Sequence, residues 1–314
     1  MLLRWVQIGI YSPRFAINCF KTSPSDNLLG DVIEPWMYPE ITPLIRDTIK
    51  RRYEILPYIY SLALESHLYA SPPQRWIGWG YETDPEVWTK TLKRGEEQFW
   101  FGDTILVGGV YEPGVSVARV YLPRKSDAPG GFDYGYVNLT APYNYLASGQ
   151  WAEIRSEWKT SIPLLARVGG AIPVGKSLAT RTPAEEESDA AAAALEVDDY
   201  RGVEIFPPQG SSHGQVFSTT WLEDDGFSRE SKVSNFTVTY TCTEEKVTVG
   251  FTHGEENDYT PAWKDLDIIL PHGDQRHVVS DLDQPLEDVG TDSRQRRVYR
   301  LRLSSYTLTL NGTR

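Results

Sequence analysis

The chain has 314 residues, 40% of them hydrophobic, enough to bury a sizeable core in one large domain or in two to three ordinary ones. A net charge of −12, with Lys and Arg scattered rather than clustered, gives no electrostatic footprint for a phosphate backbone or an anionic membrane surface, so neither nucleic acid nor a membrane is an expected partner. Two cysteines, Cys19 and Cys242, cannot make a disulfide scaffold, and neither they nor the five His show metal-ligand spacing, so no metal or other cofactor is expected.

In chain order, the first stretch is "RWVQIGIYSPRFAIN", Arg4 to Asn18. It has helical periodicity, carries a Trp with the look of a buried residue, and stops at a Ser-Pro turn. The preceding "MLLRWVQIGIYS" lacks a basic leader, a long enough apolar stretch and a small-residue cleavage site, so it does not read as a signal peptide. The segment "NCFKTSPSDNLLGDVIEPWMYPE" has no sustained period and reads as a long ordered loop anchored by Trp36 and Tyr38. From Thr42 as N-cap and Pro43 at the first helical position, Ile45, Ile49, Tyr53, Leu56, Tyr60 and Ala63 recur at three- and four-residue spacing, the mark of an amphipathic helix. Pro57 must kink that helix or divide it into two at "LPY", Pro72-Pro73 end it, and His67 sits near its C-terminus. Residues 1–97 are therefore helical in character.

From Gln98 the period changes to two. "QFWFGDTILVGGVYE", "VSVARVYLP", "SIPLLARVGGAIPVG" and "VEIFPP" read as short strands between Gly and Pro. Residues 176–199, acidic and alanine-rich, have little to bury and read as a surface excursion or short exposed helix. In "NFTVTYTC", Phe236, Val238, Tyr240 and Cys242 point one way and the threonines the other; Val247, Val249 and Phe251 return the inward face. Tyr299, Leu301 and Leu303, then Tyr306, Leu308 and Leu310, alternate in the same manner. This predicts antiparallel β-sandwiches with one wet face per sheet, and makes Cys242 a small buried hydrophobe. The fold class is mainly β with an N-terminal α-rich segment: 1–97, then a first β-sandwich domain at 98–209 and a second at 210–314.

A hydrolase of neutral sugars needs two carboxylates converging on one bond. The obvious candidates have local roles: "LEDDG", Leu222 to Gly226, is turn chemistry, Asp198 and Asp199 leave the excursion where no pocket is expected, and Asp103 follows Gly102 at a turn. No Gly-x-Ser-x-Gly elbow, phosphate loop or dinucleotide fingerprint is present. Local chemistry gives no complete enzyme. The ten Trp and eighteen Tyr suit either sandwich cores or the flat faces of sugars, with Trp151, Trp158 and Trp263 as candidate platforms. Three sequons, at Asn138, Asn235 and Asn311, would fit passage through a secretory route to the cell exterior.

Five blocks resemble, in order, those of glycoside hydrolase family 31, the retaining α-glucosidases and α-xylosidases. "RWVQIGIYSPRFAIN" resembles R-W-x-Q-x-G-x-x-S-P. "RDTIKRRYEILPYIYSLALESH" is similar to the family's R-Y-x-L-L-P-Y helix. "EEQFWFGDTILVGGVYEPGVSVARVYLP", "IPLLARVGGAIPVG" and "STTWLEDDGFS" are similar to its later β-domain blocks.

The resemblance implies that residues 1–97 are the C-terminal remnant of a (β/α)8 catalytic barrel with its eighth strand near "QRWIGWG", followed by proximal and distal β-domains. The nucleophile and acid Asp of the family would lie upstream of residue 1, so no catalytic residue is assigned here. The family's S-P-x-x-R-x-H block falls on Ser12, Pro13, Ala16 and Asn18, and makes Asn18 the candidate substrate-binding residue in place of the family's His. Asn18 can donate to and accept from a sugar hydroxyl, or it can simply turn the chain.

The implied partners are an α-linked oligosaccharide or glycoside substrate and the missing barrel portion of the parent enzyme. The implied chemistry is double displacement with retention. The alternative is a non-catalytic carbohydrate-binding or structural β-sandwich protein.

Overall fold

A computed structural model describes residues 1–17, 19–23, 26–93, 97–125, 133–176, 198–226, 228–229, 232–254 and 259–303, and of 19–23 and 26–33 the backbone alone. The Ala-rich excursion, Asn18, Asn311 and the last apolar alternation, Tyr306 to Leu310, lie outside the described residues.

Four helices are described: α1 (Leu2–Gly9), α2 (Thr42–Glu54), α3 (Leu56–Tyr69) and the single turn α4 (Lys90–Lys93). The α2–α3 break realises the second of the two options at "LPY". A continuous helix would set the Pro57 ring against the Tyr53 carbonyl and leave that carbonyl without a donor. Instead the chain steps through Ile55 (φ −87°, ψ 9°) and α3 restarts with Pro57 in its first turn, where no amide hydrogen is needed. Thr42 is not the N-cap of α2. It lies inside the helix, and its hydroxyl donates back to the Tyr38 carbonyl at 2.9 Å.

The buried stripe differs from the expected one on both sides of the break. Ile45, Ile55, Tyr58 and Leu62 are buried, whereas Tyr53, Leu56 and Tyr60, expected on the same face as Ile45, are 37 to 39% exposed. The segment expected to be a loop contains instead an antiparallel hairpin, β1 (Cys19–Ser23) with β2 (Asp26–Ile33). Trp36 and Tyr38 beyond it, expected as anchors, are 68% and 44% exposed.

The remaining strands form four sheets. The first is six-stranded, in the order β3 (Gln74–Arg75), β4 (Gln98–Phe101), β5 (Ile105–Gly108), β10 (Leu164–Arg167), β7 (Tyr136–Asn138), β8 (Tyr145–Leu146). A two-stranded ribbon, β6 (Val117–Leu122) with β9 (Gln150–Arg155), covers one of its faces. The third sheet runs β11 (Ala171–Val174), β12 (Arg201–Ile205), β16 (Asp265–Ile269), β19 (Arg297–Arg302), β18 (Glu287–Thr291). The fourth runs β13 (Phe217–Glu223), β14 (Ser234–Cys242), β15 (Lys246–His253), β17 (His277–Ser280).

"QRWIGWG" is thus not an eighth barrel strand. Gln74 and Arg75 pair antiparallel with Phe101 and Trp100 at the edge of the six-stranded sheet, where a barrel strand would pair in parallel. The third sheet also draws strands from both sides of residue 209.

Among the described residues three hydrophobic cores lie between the sheets, and a fourth, smaller one (Leu3, Val6, Ile45) lies between α1 and α2. Alternate residues of the six-stranded sheet divide between two of them: Trp100, Leu106, Tyr136 and Leu165 face the ribbon, while Phe99, Phe101, Ile105, Val107 and Val137 face α1, α3 and the third sheet. The third sheet divides likewise, with Ile172, Val174, Ile269 and Val298 on that middle core and Val203, Leu266, Ile268, Tyr299 and Leu301 on the sandwich core. Two-sided burial explains why "QFWF" and "ILVG" are buried at every position and do not alternate with polar residues.

One wet face per sheet therefore holds for the fourth sheet, where Thr237, Thr239 and Thr241 are half-buried outward, and fails for the third. Phe236, Val238, Tyr240, Cys242, Val247, Val249 and Phe251 all enter the sandwich core, and Cys242 is a buried free thiol. Burial pushes that thiol up to about 12. Among the described residues no helix is long and apolar enough to cross a membrane.

Candidate substrate-binding segment

The segment that leads to Asn18 leaves α1 through Ile10 and Tyr11, both buried, and is held by a residue from another helix. Arg52 on α2 donates to the carbonyls of Ile10 (2.6 Å), Ser12 (2.8 Å) and Pro13 (3.1 Å), and its guanidinium lies 5.3 Å from the centre of the Phe15 ring. A planar fork with five donors can hold three carbonyls within four residues in a way that a Lys ammonium could not. The sequence contains this residue in "KRRY", but nothing in the helical period says that Arg52 reaches across to Ser12.

Its neighbour Arg51 points to the other side. It makes a bidentate pair with Glu204 on β12 (2.7 and 2.8 Å) and a 3.0 Å bond to Glu54, while Arg296 meets Glu204 at 2.8 Å and Arg294 meets Glu54 at 2.6 Å. Burial alone would raise the Glu204 pKa, but Arg296 and Arg51 outweigh it and hold the carboxyl well below the usual range. The tandem arginines thus tie α2 both to the loop before Asn18 and to the third sheet.

Trp5, expected to be buried, is 55% exposed and packs beside Tyr111, with ring centroids 5.7 Å apart. Its chain neighbour Arg4 is the buried one, and donates to the carbonyls of Glu112, Val115 and Ser156.

Of the residues singled out in the sequence, several find other roles. Trp263 is fully buried in the sandwich core, so it cannot serve as a sugar platform. Trp151 is half-buried, with its indole N–H on Glu86 (2.9 Å) and Arg119 stacked over the ring. Trp158 stays 48% exposed. The Asn138 side chain is enclosed and accepts from the Thr140 amide and hydroxyl, whereas Asn235 is exposed on β14.

The carboxylates of "LEDDG" form a turn, as expected, with Asp224 accepting from the Gly226 amide at 2.8 Å. They also do something the turn signal did not contain. Glu223, Asp224 and Asp198 line one cleft of about 570 Å³ with Arg201, Tyr60 and Leu56, so Asp198 does face a pocket. Glu223 is no free acid: it accepts from Arg201 and from the indole N–H groups of Trp221 and Trp263. Among the described residues no group of three or more candidate ligands could hold a metal ion.

Two family models match the chain in sequence order, the glycosyl hydrolases family 31 TIM-barrel domain over residues 1–62 and the glycosyl hydrolase family 31 C-terminal domain over residues 70–172. The chain belongs to glycoside hydrolase family 31.

Among curated relatives, the family 31 chain is 30% identical over 183 residues to neutral alpha-glucosidase C of Mus musculus, a match covering 58% of this chain and 18% of the mouse protein. It is 23% identical over 286 residues to alpha-glucosidase 2 of Bacillus thermoamyloliquefaciens, covering 89% and 31%. In fold it is similar to a family 31 dextranase of Flavobacterium johnsoniae complexed with isomaltotriose, with a TM-score of 0.67 at 20% identity over 96% of this chain and 35% of that one. It is also similar to an α-xylosidase of Xanthomonas citri, with a TM-score of 0.58 at 23% identity over 90% of this chain and 26% of that one. The chain thus spans under a third of the length of these two curated relatives.

Proposed function

We propose that the chain is the C-terminal portion of a retaining α-glycosidase that hydrolyses α-glucosides or α-xylosides. In this reading both catalytic carboxylates belong to polypeptide outside residues 1–314, residues 1–97 complete a barrel, and 98–209 and 210–314 brace it. Asn18 contributes one hydrogen-bonding wall of the pocket.

The observation that carries the reading is the three-carbonyl grip of Arg52 on Ile10, Ser12 and Pro13. It fixes the approach to the position where the family block carries its sugar-binding His, and preorganised positioning groups of this kind are what a glycosidase pocket requires. Support for the substrate class comes from the α-glucosidase relatives and from the isomaltotriose bound to the Flavobacterium dextranase. In the intact parent an Asp would attack the anomeric carbon, a second Asp would protonate the leaving oxygen, and water would then release the sugar with retention.

The test is an assay of the purified chain on aryl α-glucoside and aryl α-xyloside, alone and mixed with the barrel portion of the parent. The expected outcome is no turnover by the chain alone and turnover by the mixture, reduced ~10-fold or more by Asn18→Ala if that residue holds a hydroxyl that tightens in the transition state. Turnover by the lone chain would overturn the assignment.

A further inference from the structure

The cleft between α3 and the end of β13 is not used by the glycosidase reading, yet it has the construction of a polyol site. One wall is the outward face of α3: Leu56 and Tyr60, each 39% exposed, beside Pro57. The opposite wall is polar. Tyr60 Oη donates to Asp224 Oδ1 at 2.7 Å, and the same oxygen accepts from the Gly226 amide at 2.8 Å. Asp224 Oδ2 accepts from no group among the described residues.

Beneath lies a base that does not need a ligand to be satisfied. Arg201, 2% exposed, is saturated by Glu223 (2.7 and 3.0 Å) and Asp198 (2.7 Å). Arg201 offsets only one of the two carboxylates it pairs with, and with Asp224, Asp225 and Lys176 also in the lining the cleft stays acidic, offering acceptors to the hydroxyls of a neutral ligand. Among the described residues no group of three or more candidate ligands could hold a metal ion there. Its volume of about 570 Å³ falls within the ordinary range of small-molecule sites. A flat apolar ring face next to an oriented carboxylate is the combination that holds a sugar by stacking on one side and by hydroxyl donation on the other.

We propose that this cleft is a second, non-catalytic site for a neutral sugar, whose ring lies on Tyr60 and Leu56 and whose hydroxyls donate to the Asp224 carboxylate. The choice of ligand rests on the α-glycosidase reading above; the site itself is independent of Asn18. Tyr60 holds Asp224 in place, and it stays protonated because burial and the Asp224 carboxylate both raise its pKa.

The experiment is titration of the intact chain with maltose and with methyl α-glucoside, read by calorimetry and by chemical-shift changes at Tyr60 and Gly226. Saturable binding is expected to survive in Asn18→Ala and to weaken ~10-fold or more in Asp224→Asn, about what the loss of one charge-assisted hydrogen bond gives. Asn at 224 can still accept from Tyr60 and Gly226, so the fold should melt as before. Tyr60→Ala tests the stacking wall separately and should weaken binding as much. No saturable binding of either sugar overturns the proposal. So does binding that is abolished by Asn18→Ala and untouched by Asp224→Asn, an outcome that would leave the glycosidase reading standing.

Discussion

At the scale of single residues, two adjacent arginines divide their work in a way that helical spacing allows but does not announce. Arg52 serves the loop, and Arg51 serves the sheet through Glu204, one of the most enclosed charges in the molecule at 2% exposure. A buried pair of this kind adds little net stability over an apolar pair of the same shape, but removing one partner strands the other. Glu204→Gln removes the charge and puts an amide NH2 against one of the two guanidinium groups, leaving Arg51 with Glu54 and Arg296 with Asp292 as their remaining charged partners. The variant should lose roughly 3 kcal/mol in urea unfolding at neutral pH.

The sign of the pH dependence follows from the depressed folded-state pKa. The contribution of Glu204 is fully present above its unfolded value near 4.3 and is lost as pH falls through the folded value. Wild-type stability should therefore begin to decline below about pH 5, and the Gln variant should show a shallower acid limb. An acid limb of unchanged slope in the variant would assign that decline to other carboxylates.

Among elements, the turn between β4 and β5 shows how a helix and a sheet impose a residue on each other. Gly102 has φ +63°, and a Cβ there would lie 1.9 Å from Tyr58 Oη, the hydroxyl that bonds the Phe101 carbonyl at 2.9 Å. Both the left-handed backbone and the close approach of α3 demand glycine. Gly102→Ala should cost more than the roughly 1 kcal/mol of a strained backbone alone, because Tyr58 must also move and give up its hydrogen bond. Thermal melting of Gly102→Ala beside Tyr58→Phe separates the two contributions: if Gly102→Ala costs no more than Tyr58→Phe, the backbone strain is not real.

The same scale shows what sequence patterning can and cannot deliver. The alternation in "NFTVTYTC" and its return strand was legible residue by residue, because one face of that sheet meets water. The middle strands were legible as strands but not as two-faced ones, since a run such as "QFWF" has the same composition whether it is buried once or twice. The stripe expected along α2 and α3 failed at Tyr53, Leu56 and Tyr60, on both sides of the break, and only the packing of α3 on β13 shows which face turns inward. The β1–β2 hairpin escaped notice because its pairing partners are set by register rather than by any apolar period in "KTSPSDNLLG".

For the whole molecule, the two-faced sheets couple the layers. The third sheet contributes to the sandwich core and to the middle core at once, and α3 contacts it while its Ser61 hydroxyl oxygen accepts from the Leu222 amide of the fourth sheet. The domains outlined by sequence composition are thus joined through shared sheets rather than through a linker. Trp221, 1% exposed in the sandwich core with its indole N–H on Glu223, is a good probe of that coupling. Trp221→Ala should destabilise by about 3–5 kcal/mol. The loss should appear in one transition seen alike by far-ultraviolet circular dichroism and by the fluorescence of the remaining tryptophans, including Trp100 in the distant ribbon-side core. Two separated transitions, with only the second shifted, would mean that the layers unfold independently.

What the sequence by itself determined was the kind of protein and its order: a helical opening, strands after Gln98, an inward Cys242, and a run of blocks that place the chain in one glycosidase family. These features are local, written in periods of two and of three to four residues and in short motifs that act through the backbone nearby. What only the tertiary structure decided was which distant groups meet. Arg52 and the carbonyls before Asn18, Arg51 and Glu204, and Tyr60, Asp198 and Asp224 around one cleft are separated in the chain by tens to more than a hundred residues. Charge and hydrogen bonding act over a few ångströms in space and carry no periodicity along the chain, so these meetings leave no pattern in the sequence until packing has brought the layers together.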